Sequence, residues 1–134
     1  MQSNSILIVE DEQVVRNIMA EVITYLGYDV TVAADGTTAI DNLCKKNYVL
    51  VISDLGLPDF DGIELIHRMR KMGLGIPVLI IGGVDENTGV DKCRGLAGCH
   101  YVSKPFDIKE IGMMIEKLIN PKSAESGQKA NFNI

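Results

Sequence analysis

Five short, mostly apolar runs recur along this chain of 134 residues, and each is followed by a segment of different periodicity. The runs occupy residues 5–9, 28–33, 48–53, 77–81 and 99–103. In the segments that follow them, apolar residues return every three or four positions, which indicates amphipathic helices. Strands that are apolar almost throughout are typical of a parallel sheet covered by helices on both faces.

This alternation of strand and helix predicts a doubly wound α/β fold. Right-handed crossovers and the small number of strands favour the flavodoxin-like strand order 2-1-3-4-5. The length is enough for one domain with its own core. We expect that domain to span residues 1–120, and we expect the polar, aperiodic residues 121–134 to form a tail or a linker.

Local signals indicate where several helices begin and how stable they are. Asp35 is placed to cap the second helix, and the sequence D-I-K-E at 107–110 predicts a capping box at the start of the last one. The segment 85–97 is a poor helix, because Gly89 and Gly95 each cost about 1 kcal/mol relative to alanine. We therefore expect a short or mobile helix there.

Composition excludes several classes of protein. The net charge of -5 argues against a nucleic-acid-binding surface. No apolar run approaches the length of a membrane span, and the first residues lack the pattern of a signal peptide. Cys44, Cys93 and Cys99 show no C-x-x-C spacing, so we expect three reduced thiols and a cytoplasmic location.

Polar or small residues directly follow four of the five predicted strands. They are Glu10, Asp11, Asp54, Gly82, Gly83 and Lys104. Taken alone, Asp11 is most simply a helix cap and Lys104 a loop residue. The carboxyl ends of parallel strands meet at one edge of the sheet, however, where such folds bind ligands. The joint occurrence of these six residues at four strand ends therefore favours a binding site.

The chemistry of these groups suits a phosphoryl group and a metal ion. Three close carboxylates repel one another unless a cation lies among them, and oxygen ligands suit Mg²⁺. Lys104 offers a compact positive charge to a phosphoryl group. The backbone N–H groups of Gly82 and Gly83 are free of any obstructing Cβ and can donate to the same oxyanion. The pattern predicts a magnesium-assisted phosphoryl site with an aspartate as acceptor.

Three motifs strongly resemble the receiver domain of two-component response regulators. They are I-L-I-V-E-D-E, S-D-L-G-L-P-D-F-D-G and Y-V-S-K-P-F, and the resemblance covers about residues 5–119. It implies that a partner histidine kinase or phosphotransfer protein phosphorylates Asp54. It also implies that Asp11 and Asp54 bind Mg²⁺, with Glu10 acting directly or through water and Gly56 contributing its carbonyl oxygen.

The resemblance further implies roles around the phosphoryl group. Lys104 pairs with that group, and the peptide bond before Pro105 is cis. Tyr101 matches the aromatic residue that changes rotamer in the active state. Pro58 and Gly62 shape the loop that follows the acceptor.

One position departs from the pattern of the family. A Thr or Ser normally stands five residues after the proline of strand four, but counting from Pro77 gives Gly82, followed by Gly83. A hydrogen bond to a charged group contributes about 1.5–3 kcal/mol, so its loss weakens phosphoryl stabilisation roughly 10- to 150-fold unless water replaces it. We expect Asp54 still to be phosphorylated, with a weakened conformational response. Gly82 also leaves room for Tyr101 to sit inward without phosphate.

Several alternatives stay open at this point. The chain could be a phosphate-independent binding module of the same fold. It could also be a stand-alone receiver or part of a longer regulator, and slow self-dephosphorylation is compatible with either. The face formed by residues 85–119 is expected to dock an effector or a second copy of the chain. A haloacid-dehalogenase-like phosphatase is disfavoured, because it requires a second aspartate where this chain has Gly56.

Overall fold

The computed structural model describes residues 4–83 and 87–120, without the side chains of residues 87–89, and contains a five-stranded parallel sheet. The strands are β1 (Ser5–Val9), β2 (Asp29–Ala33), β3 (Leu50–Asp54), β4 (Val78–Gly82) and β5 (Cys99–Ser103). The helices are α1 (Gln13–Tyr25), α2 (Gly36–Lys45), α3 (Gly62–Lys71), α4 (Asn87–Arg94) and α5 (Ile108–Ile119).

The strand order is β2-β1-β3-β4-β5, which confirms the predicted doubly wound arrangement. Strands β1 and β4 are buried along their whole length, and β3 is buried up to its last residue. Because successive side chains point to opposite faces, these apolar strands supply two cores. Leu7 and Val51 pack on the side of α2 and α3, whereas Ile8 and Ile52 pack on the side of α1 and α5.

Aspartates cap three of the helices, as their sequence context requires. Asp35, Asp61 and Asp107 each accept a hydrogen bond from the backbone N–H three residues later, at 2.7–2.8 Å. The predicted caps of α2 and α5 are therefore confirmed. Asp11 is not a cap: Glu12 precedes α1 without a side-chain capping bond, and its own N–H donates to Glu10 Oε2 at 3.1 Å. The carboxylate of Asp11 is thus not used to begin the helix.

The apolar stripe of α1 is only partly core. Met19 and Ile23 are buried, but Val14 is 70% exposed and Ile18 is 55% exposed. The longest helix of the described residues is α1, with 13 residues, and none in that part of the chain could cross a bilayer. The predicted tail at 121–134 lies outside the described residues.

The expectation of three reduced thiols is wrong for two of them. Cys93, near the end of α4, and Cys99, the first residue of β5, form a disulfide with their Cα atoms 5.3 Å apart. Cys44 is an exposed free thiol. The disulfide escaped prediction because a tight turn brings α4, which is short as expected, against β5, and six-residue spacing alone does not show that geometry.

Candidate functional site

Three carboxylates converge where β1 and β3 end. Val9 is level with Ser53 in the sheet, so Glu10 and Asp11 emerge beside Asp54. One carboxylate oxygen from each of Glu10, Asp11 and Asp54 can be chosen so that all lie within 4.8 Å of one another. The parallel register therefore brings together the acidic residues that the sequence assigned to one site.

Glu10 is the electrostatically costly member of this group. Its side chain is buried, and burial raises its pKa above the ordinary value. The backbone N–H of Glu12 opposes that rise by donating to the carboxylate, while the nearby negative charge of Asp54 adds to it. Arg16 donates through Nη1 to the backbone carbonyl oxygen of Glu10 at 2.9 Å. The guanidinium of Arg16 therefore holds the backbone of the loop. The negative charge of Asp54 still repels the carboxylate of Glu10.

Lys104 brings a positive charge to the same edge from β5. Its Nζ lies 3.4 Å from Asp54 Oδ1, and the side chains are 48% and 16% exposed respectively. The backbone N–H of Lys104 donates to the carbonyl oxygen of Gly82 at 2.8 Å, which holds the lysine beside the end of β4. The Lys104–Pro105 peptide bond is cis, as the sequence resemblance implies.

The donor set fits Mg²⁺ in its chemistry. Mg²⁺ binds hard oxygen ligands and usually keeps several waters, with only one or two protein carboxylates. Glu10, Asp11 and Asp54 supply such oxygens, and a divalent cation would relieve the repulsion that accompanies the buried Glu10. Gly56, whose carbonyl oxygen the resemblance implies as a further ligand, lies exposed in the loop that follows β3.

That loop is held by a residue that sequence reasoning missed. Asp59 accepts hydrogen bonds from the backbone N–H groups of Gly36 and Thr37, from the Thr37 hydroxyl and from the N–H of Phe60, at 2.7–2.9 Å. Partial desolvation raises the pKa of Asp59, but these hydrogen bonds outweigh it and hold the pKa well below its ordinary value. Asp59 therefore ties the loop after Asp54 to the start of α2. The neighbouring Pro58 is exposed.

Gly62 is required by a close approach of backbone to backbone. Its N–H donates to the carbonyl oxygen of Leu55 at 2.8 Å. A Cβ at Gly62 would lie 2.8 Å from the carbonyl oxygen of Asp54 and 3.0 Å from Ile80 Cδ1. Both neighbours belong to the sheet, so α3 can begin this close to the end of β3 only with glycine.

The end of β4 is occupied by an aromatic side chain from β5. A Cβ built on Gly82 would overlap the hydroxyl oxygen of Tyr101 and would lie 2.8 Å from its Cζ. The Tyr101 hydroxyl donates to the carbonyl oxygen of Gly83 at 3.2 Å. Tyr101 therefore fills the space in which a Thr or Ser side chain at residue 82 would stand.

The family model of the response regulator receiver domain matches residues 6–116. The chain belongs to that family. It is 34% identical to sporulation initiation phosphotransferase F of Bacillus subtilis, over 92% of this chain and 99% of that protein. It is also 32% identical to the probable transcriptional regulatory protein TcrX of Mycobacterium tuberculosis, over 88% of this chain.

Solved receiver domains share the fold of this one. The receiver domain of a Francisella response regulator superimposes with a TM-score of 0.80 at 26% identity, covering 90% of this chain and 99% of that chain. In length, this receiver domain spans only about half of TcrX and of the B. subtilis regulator YkoG, 50% and 49% respectively. Receiver domains are phosphoacceptors of two-component systems that bind Mg²⁺ at an acidic pocket, and this chain has an acidic cluster formed by Glu10, Asp11 and Asp54.

Proposed function

We propose that this receiver domain accepts a phosphoryl group on Asp54 from a histidine kinase or a phosphotransfer protein, with Mg²⁺ and in the cytoplasm. The observation that carries the proposal is the convergence of three carboxylates within 4.8 Å, with Lys104 Nζ 3.4 Å from the acceptor. The side chain of Asp54 is 16% exposed, less than the 48% of Lys104, so its carboxylate is shielded but can be reached by a phosphodonor.

In the proposed transfer, a carboxylate oxygen of Asp54 attacks the phosphorus of a phosphohistidine. The N–P bond breaks, the imidazole leaves, and an acyl phosphate forms on Asp54. Glu10, Asp11 and Asp54 would hold Mg²⁺ with the Gly56 carbonyl oxygen, and the ion would neutralise charge on the transferred group. Lys104 exchanges its contact with the free carboxylate for one with a phosphoryl oxygen, aided by the backbone at Gly82 and Gly83.

The acyl phosphate would then be lost slowly to water. Carboxylate–phosphate anhydrides hydrolyse when a water attacks the phosphorus. The proposal assigns no residue of the domain as a general base for that water. We therefore propose slow self-dephosphorylation and no enzymatic turnover of a second substrate.

The proposed response to phosphorylation is weaker than in receivers with a hydroxyl at the end of β4. Gly82 offers no hydroxyl to a phosphoryl oxygen, which removes a bond worth roughly 10- to 150-fold in stabilisation. Tyr101 already occupies the adjacent space and is anchored to Gly83 at 3.2 Å. Phosphorylation then has little further ring movement to produce.

Exposed apolar side chains support the proposed partners. Val14 and Ile18 lie on α1, which starts directly after the acidic residues that follow β1. A protein phosphodonor can cover them while its histidine reaches Asp54. On the described part of the predicted docking face at 85–119, residues 87–119, Ile108 is 60% exposed and Met113 is 65% exposed. We propose that an effector or a second copy of the domain docks there, with no direct nucleic-acid binding.

The test of the acceptor is intact mass after incubation with Mg²⁺ and acetyl phosphate. The wild-type domain and an Asp41→Ala control, altered at an exposed aspartate of α2, should each gain one phosphoryl group. Asp54→Ala should gain none. Equal gain in Asp54→Ala, or no gain in the wild type with Mg²⁺ binding verified, would overturn the proposal.

A second candidate function is a phosphate-independent interaction module. The seated Tyr101 favours it, because the ring needs no phosphate to lie inward. Failure of the wild type to take up phosphate, with uptake restored by Gly82→Thr, would favour this candidate. Uptake by the wild type followed by a change on the 85–119 face would reject it.

A further inference from the structure

We propose that Cys93 and Cys99 form a reversible dithiol–disulfide site that controls how firmly α4 is held against β5. This redox modification site is separate from the phosphoacceptor at Asp54. It does not depend on the acceptor's being functional, because it uses other residues and a different reaction.

The fold places the two cysteines together. Cys93 is 2% exposed, Cys99 is partly buried, and their Cα atoms are 5.3 Å apart. That separation is within the range that a disulfide spans without backbone movement. Both side chains belong to the core cluster between the sheet and the helices α2 to α4, beside Leu96.

The turn between the cysteines is held by hydrogen bonds that do not involve sulfur. The N–H of Leu96 donates to the carbonyl oxygen of Cys93 at 3.1 Å, and the N–H of Cys99 donates to that of Leu96 at 3.2 Å. Arg70 Nη2 donates to the carbonyl oxygen of Ala97 at 2.9 Å from outside the turn. The two thiols would therefore stay close after reduction, which is the condition for a reversible pair.

The bond matters because α4 has little else to hold it. Of its residues 90–94, whose side chains the structure describes, only Cys93 is buried. The helix has eight residues and contains Gly89, so its own stability is low. The disulfide joins that single buried side chain covalently to the sheet, and reduction leaves its packing and the hydrogen bonds of the turn.

The site also neighbours the seated aromatic ring. Cys99 and Tyr101 are two positions apart on β5, so both point to the face of the sheet that α4 covers. Release of α4 would uncover part of this face. The redox state would thereby act on the same region that carries the proposed docking face at 85–119.

The reaction proposed is thiol–disulfide exchange with a low-molecular-weight disulfide such as oxidised glutathione. The more exposed Cys99 thiolate attacks one sulfur of glutathione disulfide, and one glutathione leaves. The Cys93 thiolate then attacks Cys99 Sγ of the mixed disulfide, and the second glutathione leaves. Two electrons pass from the protein to glutathione disulfide, and the two thiol protons end on the released glutathiones.

The experiment uses the full chain with Cys44→Ser, which removes the exposed third thiol. The protein is equilibrated in glutathione buffers from reducing to oxidising, quenched in acid and weighed intact, and amide hydrogen exchange is measured at both ends of the series. We expect the oxidised form to lose the mass of two hydrogens without a glutathione adduct. We expect α4 amides to exchange at least about tenfold faster in the dithiol form, with β1 and β3 unchanged.

A Cys99→Ser change in the same background is the matched control. It should never lose two hydrogens, and its α4 amides should exchange fast in both buffers. A chain that stays dithiol throughout the glutathione series would overturn the proposal, as would equal α4 exchange in the dithiol and disulfide forms.

Discussion

The edge of the sheet that carries the site has two unequal sides. The acceptor side comprises Glu10, Asp11 and residues 54–62, and the switch side comprises residues 82–83 and 99–105. On the acceptor side, three carboxylates converge, Asp59 binds the loop to α2, and the N–H of Leu55 donates to the carbonyl oxygen of Ile81 in β4. On the switch side, β4 ends without a polar side chain and Tyr101 fills the space. Lys104 reaches across from the switch side to Asp54.

We infer from this difference that, in the proposed function, the carboxylates that accept the phosphoryl group and the residues that respond to it lie on different strands. In the proposed function, the three carboxylates lie at the ends of β1 and β3 and Lys104 joins them from the end of β5, whereas the response involves Gly82 on β4 and Tyr101 on β5. A change at Gly82 can therefore alter the response and leave the carboxylates in place. The predictions below test whether the two sides are separable in this way.

Removal of Mg²⁺ should have the largest effect, and it should act on the acceptor side alone. A bound metal ion supplies several kcal/mol of transition-state stabilisation, so we expect phosphorylation of Asp54 by acetyl phosphate to slow at least roughly 100-fold in EDTA. Quenched-flow sampling followed by measurement of the intact mass gives the rate of phosphorylation. Added Mg²⁺ should restore that rate. An unchanged rate in EDTA would remove the metal from the account of the acceptor side.

The change Gly62→Ala should be the next largest, because the new methyl group meets the backbone of the acceptor strand. A Cβ only 2.8 Å from the Asp54 carbonyl oxygen forces a backbone shift, with an expected loss of about 1–3 kcal/mol in unfolding free energy. Urea denaturation measures it. Gly75→Ala is the matched control, since nothing lies within 4 Å of that position, and equal stability of the two variants would show that the approach is not tight.

The change Asp59→Ala should have a smaller effect of about 1–2 kcal/mol, since it removes the acceptor for two N–H groups at the start of α2. The pKa of Asp59 is lower in the folded than in the unfolded chain. Its stabilising contribution is therefore fully present above the unfolded pKa of about 4 and is lost as the pH falls toward the folded pKa. Urea denaturation at several pH values should show the difference from wild type shrinking below about pH 4. A difference that grows on acidification would contradict the assignment.

The sequence predicted the fold well because local patterns determine it. The buried strands are apolar along their length, Asp35 and Asp107 cap helices through bonds to residues three positions away, and the strand bounds agree to within two residues. The convergence of the acidic residues with Lys104 followed from parallel topology alone, because every strand ends at the same edge.

The features that escaped prediction are contacts between residues distant in sequence or brought together by a turn. Asp59 bonds to residues 22 and 23 positions earlier, and nothing in the motif P-D-F-D-G indicates that partner. The pairing of Cys93 with Cys99 depends on the turn after α4. In α1, Val14 and Ile18 follow the helical period of the core residues, yet both are exposed. The period could not predict this, because it does not reveal where the sheet that covers the helix ends.

The most direct test of the two-sided account is the position of the Tyr101 ring before and after phosphorylation. NMR of ring-labelled tyrosine reports it, and Tyr101→Phe assigns its signal among those of the four tyrosines. With Mg²⁺ and acetyl phosphate, we predict no shift of the Tyr101 signal in the wild type while intact mass shows Asp54 phosphorylated. In Gly82→Thr, the ring should start displaced and should shift on phosphorylation. A wild-type signal that moves as far as that of Gly82→Thr would contradict the claim that the Tyr101 ring already fills the space beside Gly82 before phosphorylation.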